Sequence, residues 1–271
     1  MKVLYVAELV GKAGVYVFKK AQSVIKKQYP HDFLIVCGDG ATGGNGLGRS
    51  HAAYIHKMGA NVITLGDCCF YKKDLTENIE KTPYVLRPEN LNIQAPGIGS
   101  KVFKISGVNE GKKIAVVVLL GQNGFTRIHA NSPFSALPAL LEKLKKQTPY
   151  IIIDFHAQAS AEKKTLFFAA DGLCSAVIGS HTRVQTADET ILPGGTAVIS
   201  DAGRTGSQQS VGGCEINSRI KEYLTGIPDW TKDAWEAPAL QGVYMDIGED
   251  GKALSIERIR IDVERTKEEM D

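Results

Sequence analysis

The chain contains 271 residues, of which 43% are hydrophobic, and its 32 basic and 30 acidic side chains leave a net charge of +2. This composition excludes a disordered chain, and the length is sufficient for a sizeable core. The nearly balanced charge argues against a dominant nucleic-acid surface but does not exclude a nucleotide substrate, and no apolar run approaches the ~18 residues that would predict a membrane span.

The N-terminal apolar stretch is interrupted by Glu8 and is followed by no small-residue cleavage site, so it predicts a first strand rather than a signal peptide. The five cysteines are an odd number without zinc-type spacing. Cys68 and Cys69 are adjacent, which would strain a disulfide between them. We therefore expect reduced thiols and a cytoplasmic protein.

The first half of the chain alternates predicted strands with predicted helices. This alternation is typical of a largely parallel sheet covered by helices. The strands are predicted at 3–8, 33–37 and 61–65, the helices at 14–28, 50–58 and 72–80, and a Pro/Gly-rich loop at 88–100.

The second half begins with a predicted hairpin, 101–106 and 113–120, whose turn contains Asn109-Glu110-Gly111. A helix at 135–147 is predicted to lead into a strand at 150–154. Further strands are predicted at 165–169, 174–178, 196–200, 241–248 and 253–262, of which the last two alternate as antiparallel strands do. The pattern predicts two packed sheets with helices outside, in a single domain spanning 1–271.

Metal-ligand side chains follow five of these predicted strands. The carboxyl ends of strands are where α/β proteins bind ligands. A lone acid there is more often a helix N-cap, and a lone histidine is more often a satisfied polar group. Their joint occurrence favours a shared metal site built from Glu8, Asp39, Asp67, His156 and His181. Carboxylates and imidazoles are the ligands with which a metal-dependent hydrolase clamps a phosphate and activates water.

The chain resembles the calcineurin-like metallophosphoesterases, in particular their bacterial cyclic-nucleotide phosphodiesterase branch, from residue 1 to about residue 264. The motifs that carry the resemblance are Gly38-Asp39-Gly40-Ala41, Gly66-Asp67, Leu86-Arg87-Pro88-Glu89-Asn90, the segment 148–157, Gly179 to Asp188, Ile191-Leu192-Pro193 and Ser200 to Gly206. The resemblance implies a four-layer α-β-β-α sandwich in which the five ligand-type residues converge at one edge.

This sequence departs from the family pattern at several ligand positions. The family has Asp at the first strand end, where this chain has Glu8. Where the family has Gly-Glu-Asn, this chain has Gly38-Asp39-Gly40, and where the family has Gly-Asn-His, it has Gly66-Asp67-Cys68. The family motif Gly-Thr-His-Thr-His is replaced by Gly179-Ser180-His181-Thr182-Arg183.

These departures imply a changed metal centre. Because Arg183 replaces a histidine ligand, we expect one divalent ion (Fe, Mn or Zn) rather than two, held by Asp39, Asp67, His156 and His181. Arg183 is expected to bind phosphate bidentately. Cys68 occupies the position of a histidine that assists the leaving group, and a thiol is a poor substitute for it.

Two functions therefore follow from the sequence. The first is a metal-dependent phosphodiesterase, acting on cyclic nucleotides or similar phosphoesters through an altered, mononuclear centre. The alternative is a pseudoenzyme whose cleft binds a nucleotide or a protein partner. A small-molecule phosphoester is the expected ligand in the first case, and a homo-oligomer is left open in both.

The remaining motifs have less specific interpretations. The stretch Gly43–Gly48 lacks the Gly-Lys-Ser/Thr ending of a P-loop, so we expect a loop that runs beside the metal site. Asp154 and Asp171 are predicted to be strand-end or turn acids. Trp230 and Trp235 are interpreted as core residues rather than as an oligomer contact.

Overall fold

Two β-sheets form the centre of the part of the chain that the computed structural model describes, residues 1–229 and 232–264. In chain order the strands are β1 (Lys2–Val6), β2 (Glu8–Leu9), β3 (Phe33–Cys37), β4 (Val62–Thr64), β5 (Val85–Leu86), β6 (Ser100–Lys104), β7 (Lys113–Leu120), β8 (Ile151–His156), β9 (Ala176–Ser180), β10 (Thr190–Ile191), β11 (Ala197–Ile199), β12 (Arg204–Ser207), β13 (Pro238–Ile247) and β14 (Ala253–Asp262).

The first sheet has the order β2-β12-β13-β1-β3-β4-β5, with β14 paired to β13. Strands β1, β3, β4 and β5 run parallel, while β13 runs antiparallel to β1, β12 and β14. The second sheet has the order β10-β11-β9-β8-β7-β6. Its four central strands are parallel and its two edge strands are antiparallel. The carboxyl ends of the parallel strands therefore share an edge in each sheet, which is where the predicted ligands lie.

Six α-helices lie in the described part of the chain. They are α1 (Gly11–Gln28), α2 (Arg49–Lys57), α3 (Lys73–Thr76), α4 (Pro133–Lys145), α5 (Ser160–Ala170) and α6 (Ile216–Thr225), with 3-10 turns at Ile79–Lys81 and Gly107–Asn109. The helices α1 and α2 pack on the outer face of the first sheet and α4 and α5 on that of the second, whereas α6 has no buried residue. No helix in the described ranges is long and apolar enough to cross a bilayer.

Three separate apolar cores fill the spaces between these layers. The first joins α1 and α2 to the first sheet, with Phe18 and Ile25 of α1 fully buried. The second lies between the two sheets, and the third joins α4 and α5 to the second sheet. Burying a large apolar side chain contributes roughly 1.5–3 kcal/mol. The layers follow the order helix, sheet, sheet, helix, which confirms the predicted four-layer α-β-β-α sandwich.

The predicted strand at 165–169 is wrong, because this segment lies inside α5. The run Thr165-Leu166-Phe167-Phe168 has strand-forming composition, but its burial follows a helical period. Lys163, Leu166, Phe167 and Ala170 are buried against the second sheet, whereas Phe168 is exposed. Helical spacing of the buried positions therefore overrides local β propensity.

Other differences concern short elements. The predicted strand 3–8 divides into β1 and β2, and the predicted helix 72–80 divides into α3 and a 3-10 turn. The sequence pattern predicts none of β5, β10, β12 and α6. The predicted hairpin at 101–120 and the predicted antiparallel strands at 241–248 and 253–262 are both confirmed as antiparallel pairs.

The structure also locates several single residues about which the sequence made a prediction. All five cysteines are free thiols. Trp235 is partly buried and packs edge-to-face on Tyr16 of α1, with ring centroids 5.8 Å apart, whereas Trp230 lies outside the described residues. Asp171 lies in a turn, as predicted, and its carboxylate accepts a hydrogen bond from the amide of Gly194.

Candidate metal centre and adjoining cleft

Four of the five predicted ligands form one cluster at the carboxyl ends of the strands. Nε2 of His156 lies 2.8 Å from Oδ1 of Asp67 and 3.1 Å from Nδ1 of His181. Nδ1 of His181 lies 3.4 Å from the same Asp67 oxygen, and Oδ2 of Asp39 lies 3.7 Å from Nε2 of His156. Two imidazole nitrogens and two carboxylates therefore converge on one small volume.

The chemistry of this donor set fits a divalent cation. One ligand atom from each of Asp67, His156 and His181 lies within 4.8 Å of the others, and Asp39, Asp67 and Cys68 form an overlapping group with the same property. Imidazole nitrogens combined with carboxylate oxygens suit Zn²⁺, Fe²⁺ and Mn²⁺. Asp39, Asp67, His156 and His181 are the residues that would hold such an ion.

A buried hydrogen-bond network orients His156. Its Nδ1 lies 3.0 Å from Oγ of Ser180, and that hydroxyl donates to Oδ1 of Asp154 over 2.7 Å. Oδ2 of Asp154 accepts hydrogen bonds from Tyr5 and Thr64. Asp154 lies within β8 and not at its end, so the prediction that it is a strand-end acid is wrong. Networks of this kind fix the orientation of a ligating imidazole.

Gly66 is required by the position of His156. A β-carbon at residue 66 would overlap the imidazole ring, which no side chain can tolerate. The amide of Gly66 also donates to Oδ1 of Asp39 over 2.6 Å. The glycine therefore brings the backbone between β4 and Asp67 close to both the histidine and the carboxylate.

The cluster carries strongly perturbed ionisable groups. Burial raises the pKa of Asp39 to about 7, with the charge of His156 opposing the rise and the carboxylate of Asp67 adding to it. Burial alone would lower the pKa of His156, but its hydrogen bond to Asp67 and the charge of Asp39 raise that pKa to about 9. Burial also opposes ionisation of Asp67, yet its bonds to both histidines hold its pKa well below the usual range. Protons held here must leave when a cation binds.

Glu8, the fifth predicted ligand, pairs with Arg183 instead of joining this cluster. Its Oε1 accepts hydrogen bonds from Nη2 of Arg183 over 2.6 Å and from Nε over 3.0 Å. Arg183 also donates to the carbonyl of Gly44 over 2.7 Å and to that of Gly212 over 3.1 Å. The Gly43–Gly48 loop thus runs beside the site, as expected. Among the residues that the structure describes, one Nη1 hydrogen of the guanidinium has no acceptor.

Gly40 makes room for this ion pair. A β-carbon there would lie 2.6 Å from Oε1 of Glu8 and 2.8 Å from Nη2 of Arg183. Burial lowers the pKa of Arg183, but the charge of Glu8 more than compensates and raises it. The three residues that depart from the family pattern here therefore fit together. The longer carboxylate of Glu8 and the guanidinium of Arg183 form an ion pair in the space that the missing side chain of Gly40 leaves.

The turn that carries His181 and Arg183 is held in an unusual conformation. Both residues have positive φ, +101° and +60°, and such strain costs of order 1–3 kcal/mol per residue. Between them, the amide and hydroxyl of Thr182 donate to Oδ2 of Asp201 over 2.9 and 2.7 Å. Asp201 is paired in turn with the buried Lys163, whose Nζ lies 3.0 Å away. This buried pair anchors the turn.

Cys68 is buried beside the carboxylates. Its amide donates to Oδ2 of Asp39 over 3.1 Å, and its Sγ lies 3.7 Å from Oδ2 of Asp67. Burial first, and then the charges of Asp39 and Asp67, raise the pKa of this thiol far above its usual value. The neighbouring carboxylates therefore favour the protonated thiol.

The residues that cover the cluster were not among the predicted site residues. Phe125 packs edge-to-face on His181, with ring centroids 5.0 Å apart, and stacks on His156 at 6.0 Å. Tyr71 and Arg127 lie at the mouth of the same site. Phe125 and Arg127 belong to a loop without a recognised motif, so no spacing signal pointed to them.

The fold and this donor cluster define the class of protein. A four-layer sandwich with carboxylates and histidines at the strand ends is that of the calcineurin-like metallophosphoesterases, which confirms the resemblance. Residues 4–259 match the family described as "YmdB-like protein". The chain therefore belongs to the YmdB-like family.

Individual relatives agree with this assignment. A protein of Bacillus subtilis (strain 168) named 2',3'-cyclic-nucleotide 2'-phosphodiesterase is 37% identical over 96% of this chain and 97% of its own. The crystal structure described as a novel phosphatase of Mycoplasma pneumoniae matches with a TM-score of 0.88 at 31% identity, over 97% of this chain and 93% of that one. A hypothetical protein of Thermus thermophilus also gives a TM-score of 0.88 at 28% identity, over 97% and 99%. The names of the B. subtilis and M. pneumoniae proteins support a phosphoesterase.

Proposed function

We propose that the protein is a metal-dependent phosphodiesterase that hydrolyses 2',3'-cyclic nucleotides at a centre holding one divalent ion. The observation that carries the proposal is the convergence of Asp39, Asp67, His156 and His181, with two imidazole nitrogens 3.1 Å apart. The name of the B. subtilis relative, at 37% identity over nearly the whole of both chains, supports the choice of substrate.

A bound divalent ion would supply a Lewis acid for the phosphoryl oxygen and a water of lowered pKa. The chain's own residues prepare the site around it. The Ser180–Asp154 network holds the imidazole of His156 in place, and the Asp201 anchor holds His181. Phe125 covers both rings, which limits the access of bulk water.

Arg183 supports a count of one ion. Its guanidinium is a permanent cation fixed against Glu8, and a cation so placed repels a second ion. We propose that it contributes positive charge to the phosphate side of the cleft and contacts the phosphoryl group through its remaining Nη1 hydrogen. Most of its donors are already used by Glu8 and by backbone carbonyls, so charge is the larger part of its contribution.

Cys68 favours the second candidate function, a pseudoenzyme that retains ligand binding. A buried thiol whose pKa is raised holds its proton too tightly to give it to a leaving group. The two candidates differ in one observable, which is turnover by the metal-loaded protein.

The test is hydrolysis of 2',3'-cyclic AMP after reconstitution with Mn²⁺, Fe²⁺ or Zn²⁺. We expect cleavage of the P–O2' bond, with adenosine 3'-monophosphate as the product detected by chromatography. Asp67→Asn should abolish turnover, whereas Asp250→Asn, the same change at an exposed turn outside the site, should not. A loaded wild type that binds the nucleotide without hydrolysing it would establish the pseudoenzyme instead.

A further inference from the structure

Two clefts open beside the candidate metal centre, and they share two residues. The smaller, of about 300 Å³, is lined by Asp67, His181, Phe125, Tyr71 and Arg127. The larger, of about 820 Å³, is lined by Arg183 and again by Tyr71 and Arg127. Each cleft has the size of a pocket for a small organic ligand. A ligand bound with its phosphate at Asp67 therefore lies beside Tyr71 and Arg127, which line both clefts.

The positions of these two residues are fixed relative to the ligand cluster. The amide of Tyr71 donates to the carbonyl of Cys68 over 3.0 Å, so the tyrosine belongs to the turn that begins at Asp67. Arg127 lies two residues after Phe125, which is packed on His181. The Arg127 guanidinium carbon lies 6.0 Å from the centroid of the Tyr71 ring.

Tyr71 and Arg127 present flat, unsaturated groups to solvent at this mouth. The tyrosine is 41% exposed. None of the ion pairs among the described residues involves Arg127. Aromatic rings and guanidinium planes are the groups on which proteins stack nucleobases.

The larger cleft has no excess of positive charge that would favour a second phosphate. Four cations line it, namely Lys72, Arg127, Arg183 and Arg219, together with the carboxylates of Asp229 and Asp233. Arg183 and Arg219 are already paired with Glu8 and Glu222, so the two carboxylates balance the two remaining cations. An uncharged nucleobase stacked on Tyr71 suits a wall of balanced charge.

We propose that Tyr71 and Arg127 form the nucleobase subsite of this cleft, with the base stacked on the tyrosine ring and the guanidinium lying against the base. This inference rests on the proposed function for its substrate and adds the residues that distinguish a nucleotide from other phosphoesters. It assigns binding, not chemistry, to both residues.

The test compares two substrates with the same five-membered cyclic phosphate. One is 2',3'-cyclic AMP, and the other is glycerol 1,2-cyclic phosphate, which has no base. Tyr71→Leu should raise KM for the nucleotide about 10-fold, since a stacked base contributes that much to binding, with kcat unchanged. It should leave KM for the glycerol compound unchanged, and Arg127→Gln should show the same selectivity to a smaller degree.

Tyr223→Leu is the matched control, because Tyr223 is 81% exposed on α6 and lines neither cleft. It should leave both KM values unchanged. Equal effects of Tyr71→Leu on the two substrates, or no effect on the nucleotide, would overturn the subsite.

A binding measurement separates this proposal from the proposed function. If the wild type hydrolyses neither compound, the hydrolytic function fails, and calorimetry with adenosine 3'-monophosphate and glycerol 2-phosphate then decides the subsite. We expect Tyr71→Leu to weaken binding of the nucleotide about 10-fold and binding of glycerol phosphate not at all. A wild type that binds the two monophosphates equally, or binds neither, overturns the subsite.

Discussion

Gly40→Asn is the substitution that tests most sharply whether Glu8, Gly40 and Arg183 form one unit. Asparagine is the residue that the family pattern has at this position, so the change brings the chain closer to that pattern. The structure nevertheless predicts that it is harmful here. Its β-carbon would lie 2.6 Å from Oε1 of Glu8, 2.8 Å from Nη2 of Arg183 and 3.0 Å from the carbonyl of Leu9.

The size of the effect follows from these contacts. The backbone carbonyl cannot move far, so the ion pair must give way. Overpacking of a buried site costs about 1–3 kcal/mol. If the side chain separates Glu8, which is 2% exposed, from Arg183, the buried carboxylate loses its partner, and breaking a buried pair costs about 3–5 kcal/mol. We therefore expect a loss of at least about 1 kcal/mol, rising towards 3–5 kcal/mol if the pair separates.

Equilibrium unfolding in urea measures this loss. Gly43→Asn is the matched control, because no atom lies within 4 Å of a β-carbon at that exposed position. Gly43 has a φ of +65°, which asparagine adopts more readily than most residues. The control should therefore change the free energy of unfolding by less than Gly40→Asn does.

A double-mutant cycle completes the test. On an Arg183→His background the shorter side chain leaves space for the amide of the introduced asparagine, so Gly40→Asn should cost at least ~0.5–1 kcal/mol less than in the wild type. Additive effects, or a Gly40→Asn protein as stable as the wild type, would refute the idea that these positions are coupled.

Three further predictions concern the residues around the cluster. His181→Ala should weaken the binding of Mn²⁺ or Zn²⁺, measured by calorimetry, at least ~10-fold because one ligand is lost. Lys163→Met should lower the free energy of unfolding by about 3–5 kcal/mol, since it leaves Asp201 buried and unpaired. Burial opposes ionisation of Asp188, but the hydrogen bond from Lys164 outweighs it and depresses the pKa. The carboxylate of Asp188 therefore stabilises the fold above the unfolded value of ~3.9, and this contribution is lost as the pH falls. Asp188→Asn should be less stable than the wild type in urea at pH 7, with a gap that narrows in acid.

Each of these predictions has a control and a contradicting result. His31→Ala, which removes an imidazole outside the cluster, should bind metal as the wild type does, and unchanged affinity in His181→Ala would exclude that ligand. Lys26→Met removes an exposed lysine of α1 and should be neutral. A stable Lys163→Met protein would show that the buried pair does not anchor the turn. A gap between Asp188→Asn and the wild type that stays constant with pH would contradict the role given to that carboxylate.

The sequence pattern was sufficient to predict two packed sheets with helices outside, and it identified most of the residues of the candidate ligand cluster. Buried β-branched runs ending in Asp39, Asp67, His156 and His181 carry a signal in their composition and in their position at strand ends. Parallel strands place such ends at a common edge, so convergence follows from topology alone. The error at 165–169 has a physical cause, because Leu166 and Phe167 fit a strand in composition and only their packing against the second sheet shows the helical period.

Pairings between distant segments could not be predicted in the same way. Glu8 has the chemistry of a metal ligand, and nothing in its neighbourhood shows that Arg183, 175 positions later, takes its carboxylate. The contribution of Gly40 could not be predicted either, because it consists of the space that the missing side chain leaves for the ion pair of Glu8 and Arg183. Phe125 and Arg127 lie in a loop whose function comes from contact with His181 and Tyr71, not from its own sequence pattern.

The number of metal ions per chain tests the central claim most directly. Elemental analysis of the purified protein, after reconstitution with excess Mn²⁺ or Zn²⁺ and removal of the free ion, should give one ion per chain. The Arg183→His variant provides the comparison, because it restores the ligand type found in the family. Two ions per wild-type chain would contradict the role given to Arg183, and a wild type that retains none would contradict the assignment of Asp39, Asp67, His156 and His181 as a metal centre.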